Sequence, residues 1–246
     1  MAQKGKLTKD KMGLTMPVNA DAFIAKPPYW RDGIWYTFVY ETEPEAAAEL
    51  VPEQLTLVEP ATARLIFADY KWSTGGPYFE LLQSIDVEYQ GEQCVFFTQA
   101  GVSESTALMA GREGYGFPKK MGDISFVRHE DIMGMYYERP SGIRLATAVF
   151  RENRPVEPLP APVVLKGINL RVIMSPEKNV RYSLAELIMG DLEVKPKEVW
   201  IGEGNCTYSG LSELDPWHRL PVRKHLECTR TNFDIDSKDA RVIETL

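Results

Sequence analysis

Apolar and polar residues alternate over short runs along most of this chain, and the runs are rich in β-branched and aromatic side chains. Ile34-Trp35-Tyr36-Thr37-Phe38-Val39-Tyr40 predicts a strand. Further strands are expected near Ala63–Ala68, Tyr78–Tyr89 and Gln93–Gln99, the last two joined by the hairpin-type turn Gln90-Gly91-Glu92. The pattern resumes at Ile124–Arg128, Gly134–Tyr137, Ile143–Phe150, Val163–Met174, Leu184–Ile188 and Glu193–Ile201, with shorter runs at Phe233–Ile235 and Val242-Ile243. Helical signals are few. Thr42 is read as an N-cap, followed by Pro44, Glu45 and a run of alanines that Pro52 closes off. A second helix is expected from Ser103, its cap, to Arg112. Many short strands and two or three helices predict an α+β chain that is predominantly antiparallel β, a barrel or sandwich with helical decoration. Residues 1–28 are polar and proline-punctuated and read as an arm, with 29–246 as a single domain. The proline-rich connection Pro155–Pro162 reads as a loop within one core rather than a domain linker.

Composition narrows the function. The chain has 246 residues, 28 Lys and Arg against 35 Asp and Glu, and so a formal charge of −7. An acidic surface repels phosphate backbones, which argues against a nucleic-acid partner. No stretch approaches the ~20 uninterrupted apolar residues of a membrane span. Three cysteines, Cys94, Cys206 and Cys228, do not make a disulfide framework and fit a reducing, cytoplasmic setting. The N-terminal lysines precede no apolar core, so no secretory signal is read there. The order Cys206, His218, His225, Cys228 gathers zinc-type ligands at spacings that match no paired zinc motif, so no metal site is expected. No serine stands in a G-x-S-x-G elbow. Gly111, Gly114 and Gly116 lack the Gly-Lys-Ser/Thr of a phosphate loop, and Pro118 removes a backbone donor there. No cofactor is called for.

The informative stretch is Gly111-Arg112-Glu113-Gly114-Tyr115-Gly116-Phe117-Pro118-Lys119-Lys120-Met121-Gly122. Adjacent lysines are ordinarily solvated surface, but these follow Phe117 and Pro118 and precede Met121. A lysine in apolar surroundings loses the hydration that favours its charge, and a second ammonium nearby acts in the same direction. A neutral amine can attack a ketone and form a Schiff base.

This stretch resembles the GRE-x-x-x-[YF]-PKK-x-G signature of the acetoacetate decarboxylases, the family whose activated lysine is a standard example of the effect. Val51-Pro52-Glu53-Gln54-Leu55, Trp200-Ile201-Gly202 and Leu220-Pro221-Val222 match further family landmarks in order and approximate spacing. The resemblance implies a decorated β-barrel or cone of the acetoacetate decarboxylase-like type and a homo-oligomer. It implies Lys119 as the Schiff-base nucleophile and Lys120 as the neighbour that tunes it. It implies Glu80 as a pocket glutamate, with an outward place on an alternating strand as the lesser alternative. Arg112 and Glu113 match as well and are read as an ion-paired scaffold for the lysine turn. Tyr115, Phe117 and Tyr78 are further pocket candidates.

Two departures mark a divergent member. Where the family carries an arginine before its first aromatic strand, this chain has Gly33, with Arg31 nearby but out of register. Where the family carries a second glutamate, it has Ile66, with Arg64 two residues before. The expected function is therefore imine and enamine chemistry on a small keto acid, with pyruvate aldol condensation and dehydration, using an aldehyde co-substrate, slightly favoured. Decarboxylation of acetoacetate or of another β-keto acid is the alternative, with Arg31 or Arg64 taking the carboxylate. A non-catalytic small-molecule binder of the same fold is a further one.

Overall fold

The computed structural model describes residues 2–24 and 26–246. Its strands are β1 (Tyr29–Glu41), β2 (Thr56–Leu57), β3 (Thr62–Tyr70), β4 (Trp72–Ser73), β5 (Tyr78–Tyr89), β6 (Glu92–Val102), β7 (Lys119–Met121), β8 (Asp123–His129), β9 (Ile132–Glu138), β10 (Arg144–Pro155), β11 (Val163–Met174), β12 (Tyr182–Tyr208) and β13 (Lys224–Thr245). Two short helices, α1 (Pro44–Ala48) and α2 (Ser105–Met109), decorate them.

The strands join in the order β11-β6-β5-β3-β1-β13-β12, and β12 pairs back onto β11, so this part of the sheet closes on itself. The ring is uneven. Its β11–β6 seam is parallel and held at two residue pairs, whereas β11 pairs along its whole length with the Tyr182–Val194 part of β12. From the C-terminal half of β12 the sheet continues into β10, β9 and β8. The expected barrel-like, mainly antiparallel architecture is therefore present, with parallel contacts at β11–β6 and β6–β7.

Both faces of the central strands are buried. On β1, Tyr36 and Phe38 pack on one side against Phe126 and Phe150 of β8 and β10 and Tyr40 against Tyr208, while Trp35 packs on the other side against Phe233. β5 is buried almost throughout, with Leu81 and Ile85 on the first face and Tyr78, Glu80 and Leu82 on the second. The β5–β6 hairpin turns at Gln90-Gly91, both at positive φ (51° and 81°), as a two-residue turn of the primed type requires.

Three expectations change. Thr42 does not cap α1. Its hydroxyl donates to the Pro221 carbonyl at 2.9 Å, and Glu43 stands at the N-cap without a side-chain bond. Ser103 does not cap α2 either. Its hydroxyl accepts from the Phe79 N–H at 2.9 Å, and Glu104 takes the cap position. The separate runs at Leu184–Ile188 and Glu193–Ile201 form one strand, β12, which continues to Tyr208, and the two tail runs lie within β13. Their polar interruptions are cross-strand ion pairs, Lys195–Asp236 at 2.6 Å, Lys197–Asp234 at 2.7 Å and Lys238–Glu193 at 2.7 Å. Pro196, which donates no ladder hydrogen bond, sits at a bulge.

Phe38 is fully buried, with Phe150 edge-on at 6.5 Å. Phe38→Ala is expected to lower stability by about 3–5 kcal/mol, read as a lower midpoint of chemical denaturation.

Candidate active site

The second face of the sheet carries a file of side chains in register. Opposed across β3 and β5 are Tyr70 with Tyr78, Ala68 with Glu80, and Ile66 with Leu82. Glu80 is 4% exposed, so the structure places it inward rather than outward. α2 covers this file through Ala107 and Leu108, and Phe117 closes over it beside Phe97, 5.0 Å between ring centres.

Helix α2 passes directly into a π-helical turn at Ala110–Gly114, and the chain then reverses so that Lys119 opens β7, parallel to β6 and opposite Ala100. Successive residues of a strand point to opposite faces, so the two lysines part. The Lys119 ammonium lies 2.7 Å from Glu80 Oε1, both side chains being 8% exposed or less. It also lies 5.2 Å from the Phe117 ring centre and 5.6 Å from that of Tyr78. The Lys120 ammonium instead pairs with Asp215 at 3.2 Å, and Arg139 holds the same carboxylate at 3.0 Å.

The signature residues shape this turn through the backbone. A Cβ on Gly111 would lie 2.6 Å from Lys119 Cδ and Cε, so only glycine lets the lysine stem pass. Phe117 N–H donates to the Gly111 carbonyl at 3.0 Å. Gly116 has φ +72° and lies against Arg171, whose guanidinium donates to the Glu113 and Gly114 carbonyls at 2.9 and 3.2 Å. Arg171 is itself ion-paired to buried Glu186. The Arg112–Glu113 ion pair expected as the scaffold is replaced by main-chain contacts. Arg112 Nη1 donates to the Lys119 carbonyl at 3.0 Å, and Glu113 contributes its carbonyl. Tyr115 is half-buried, which raises its phenol pKa.

The remaining candidates divide. Ile66 is buried against Leu82 and Phe97, an apolar wall beside the ion pair. Arg64 lies on the same face but farther along β3 and is ion-paired to Asp86. Arg31 is not brought to the site. It binds Asp236 at 2.7 Å and donates to the Trp30 and Ile235 carbonyls. A Cβ at Gly33 would meet the Phe233 ring at 2.6 Å, so Phe233 fills the space that a side chain there would enter. Phe233, Trp35, Tyr70 and Trp30 were not singled out in the sequence. Each lies in or beside an aromatic run, and nothing in a run says which strand it will face. Burial, and after it the Glu80 carboxylate, raises the phenol pKa of both Tyr70 and Tyr78 well above the ordinary value, so both stay protonated.

An open hollow of about 650 Å³ lies between Leu14, Phe23 and Ile24 and Gly75 and Thr106. The ion pair does not line it. Among the described residues no cluster of His, Cys, Asp and Glu could hold a metal ion, and no helix is long and apolar enough to cross a membrane.

Comparison with known proteins gives a consistent picture. Residues 15–246 match the acetoacetate decarboxylase (ADC) family. Decarboxylase DEC1 of Cochliobolus heterostrophus is 27% identical over 236 residues, 89% of this chain and 93% of the relative. Acetoacetate decarboxylase 1 of Bradyrhizobium diazoefficiens is 27% identical over 226 residues, covering 90% and 88%. Among solved structures, an acetoacetate decarboxylase superposes with a TM-score of 0.87 at 24% identity over 97% of this chain and 99% of that one. The enduracididine biosynthesis enzyme MppR, complexed with the condensation product of pyruvate and imidazole 4-carboxaldehyde, superposes at 0.80 and 17% identity, covering 97% and 98%. At these identities the superpositions establish a shared fold.

The turn yields a paired test. Gly111→Ala forces the lysine stem to move and is expected to cost about 1–3 kcal/mol by overpacking. Gly114→Ala, with nothing within 4 Å of the added methyl, is expected to leave the denaturation midpoint within experimental error of the parent.

Proposed function

The chain belongs to the acetoacetate decarboxylase family, and from that premise we propose that it is a Schiff-base lyase that decarboxylates a β-keto acid through Lys119. The observation that carries the reading is the buried contact between the Lys119 ammonium and Glu80 at 2.7 Å inside the signature turn. Glu80 is the group placed to take the lysine proton. The neutral amine then adds to the ketone carbon, water leaves, and a protonated imine forms. As the carboxyl carbon–carbon bond breaks, its electron pair flows into the iminium, CO₂ departs and an enamine remains. Glu80 gives up its proton as the hydroxyl leaves as water, takes another from solvent and delivers it to the enamine carbon, which restores the iminium, and hydrolysis releases the ketone.

The charges around the site favour decarboxylation over the pyruvate aldol chemistry that the two departures first suggested. A pyruvate carboxylate stays through condensation and dehydration and needs a lasting counter-ion. Arg31 is committed to Asp236. Arg64 is committed to Asp86 and stands four residues beyond Ala68, about 13 Å along the strand. Neither arginine is free to take over the carboxylate. A carboxylate that leaves as neutral CO₂ needs no such partner, and an apolar wall of Ile66, Leu82 and Phe117 raises its energy before it leaves. Aldol condensation and dehydration is the second reading. It is favoured by the shared fold with MppR, whose complex holds a pyruvate condensation product. A binder without chemistry has no use for a buried lysine and carboxylate in contact.

We assign Lys120 a supporting part. With its charge paired to Asp215, it acts by tying the 212–217 segment to β7.

Borohydride reduction with a keto acid, followed by peptide mass mapping, tests the nucleophile. The adduct is expected on Lys119, absent in Lys119→Ala and retained in Lys120→Ala. An adduct on Lys120 of the parent protein overturns the assignment. For the reaction, CO₂ release from acetoacetate and from a longer β-keto acid is compared with the formation of a conjugated product from pyruvate and an aromatic aldehyde. CO₂ release without condensation is expected, and the reverse result overturns the decarboxylase reading. Glu80→Gln is expected to lower turnover by about 10²-fold or more with little change in KM.

A further inference from the structure

The face that bears Glu80 also carries two indole–phenol hydrogen bonds. Trp30 Nε1 donates to the Tyr78 hydroxyl at 3.0 Å, and Trp35 Nε1 donates to the Tyr70 hydroxyl at 3.1 Å. A phenol oxygen that accepts an indole proton keeps its own O–H for a different acceptor. For Tyr70 that acceptor is constrained by packing. Tyr70 is 4% exposed, its ring tilted by 42° against Tyr78 with 4.7 Å between centres and flanked by Phe233 at 6.3 Å. Across β3 and β5, Tyr70 and Glu80 are diagonal neighbours on one face, a separation that long side chains bridge. Glu80 Oε1 is occupied by the Lys119 ammonium, which leaves the other oxygen for a donor. The phenol stays protonated because burial, and then the Glu80 carboxylate, opposes its ionisation.

We propose that Tyr70, aimed by the Trp35 indole, is a positioning residue that donates to the second carboxylate oxygen of Glu80 and fixes the acid where it exchanges protons with the enamine carbon. The inference rests on Lys119 as the imine-forming amine. The step it governs is a balanced proton transfer. The Glu80 O–H bond breaks, a C–H bond forms at the enamine carbon, the enamine π pair supplies that bond, and the nitrogen lone pair re-forms the iminium. Glu80 is left as a carboxylate, held by the Tyr70 hydroxyl. Tyr70 itself neither gains nor loses a proton. Without it, the imine still forms, but the acid swings and proton delivery slows.

The test separates these steps with acetone as the probe ketone. Imine formation is read by borohydride trapping on Lys119, and proton exchange at the enamine carbon by deuterium uptake into the acetone methyl groups in D₂O, followed by NMR. Tyr70→Phe keeps the ring and its packing. It is expected to hold trapping within about twofold while deuterium uptake falls by about tenfold or more. Trp35→Phe keeps the Tyr70 hydroxyl but removes its aiming donor, and is expected to move uptake in the same direction by a smaller factor. It also carries the test should Tyr70→Phe fail to fold. Equal losses of trapping and uptake, or no loss of uptake in either variant, overturn the inference. Failure of the parent protein to trap acetone or acetoacetate overturns the Lys119 reading, and this one with it.

Discussion

The contact between Lys119 and Glu80 is the constraint around which this structure is arranged. Two opposite charges, both nearly removed from water, are stable there only together, and deleting one leaves the other uncompensated at a cost of about 3–5 kcal/mol. Their meeting requires a lysine delivered from a turn and a glutamate delivered from near the start of a strand. The glycines and arginines of the signature turn shape that delivery. Gly111 lets the lysine stem pass, Gly116 lets the turn lie on β11, and Arg112 and Arg171 bind its carbonyls. None of these residues has to touch a substrate to matter.

The sheet supplies the other half of the arrangement. β5 is buried on both faces, and β7 pairs with the other edge of β6, so Glu80 and Lys119 stand on the two strands that flank β6 rather than on loops. Alternation along β7 then separates the two lysines. One enters the apolar file with Glu80, and the other is neutralised by Asp215 and helps to hold down the segment that ends in buried Trp217. The aromatic file above Glu80, with each phenol accepting an indole N–H, gives the polar atoms of the interior partners that would otherwise be missing.

Relatives and solved structures of this fold span decarboxylation and pyruvate condensation, so the fold alone does not choose a reaction. The choice falls to the groups around Lys119. Here Ile66 is an apolar wall, Phe233 lies against Gly33, and Arg31 and Arg64 are bound to Asp236 and Asp86. What remains beside Lys119 is one carboxylate, two neutral phenols and hydrocarbon.

The sequence by itself determined the strand-rich class, most strand positions and the lysine turn, because these are written in local features: period-two alternation, turn residues and one dense motif. β5 and β11 were legible to the residue, since apolar and β-branched residues recur through each and glycine or proline turns bound them. The continuity of β12 and β13 was not, because Lys195, Lys197, Asp234 and Asp236 look like loop residues until they pair across the ladder. Thr42 and Ser103 carried cap signals that tertiary partners claimed instead. Only the tertiary structure decided that Glu80 faces inward, that Lys119 and Lys120 have different partners, that Phe233 occupies the space beside Gly33, and that Trp35 reaches Tyr70. Each of these depends on register between strands distant in sequence, and a one-residue change of register reverses every facing, so no local pattern can contain it.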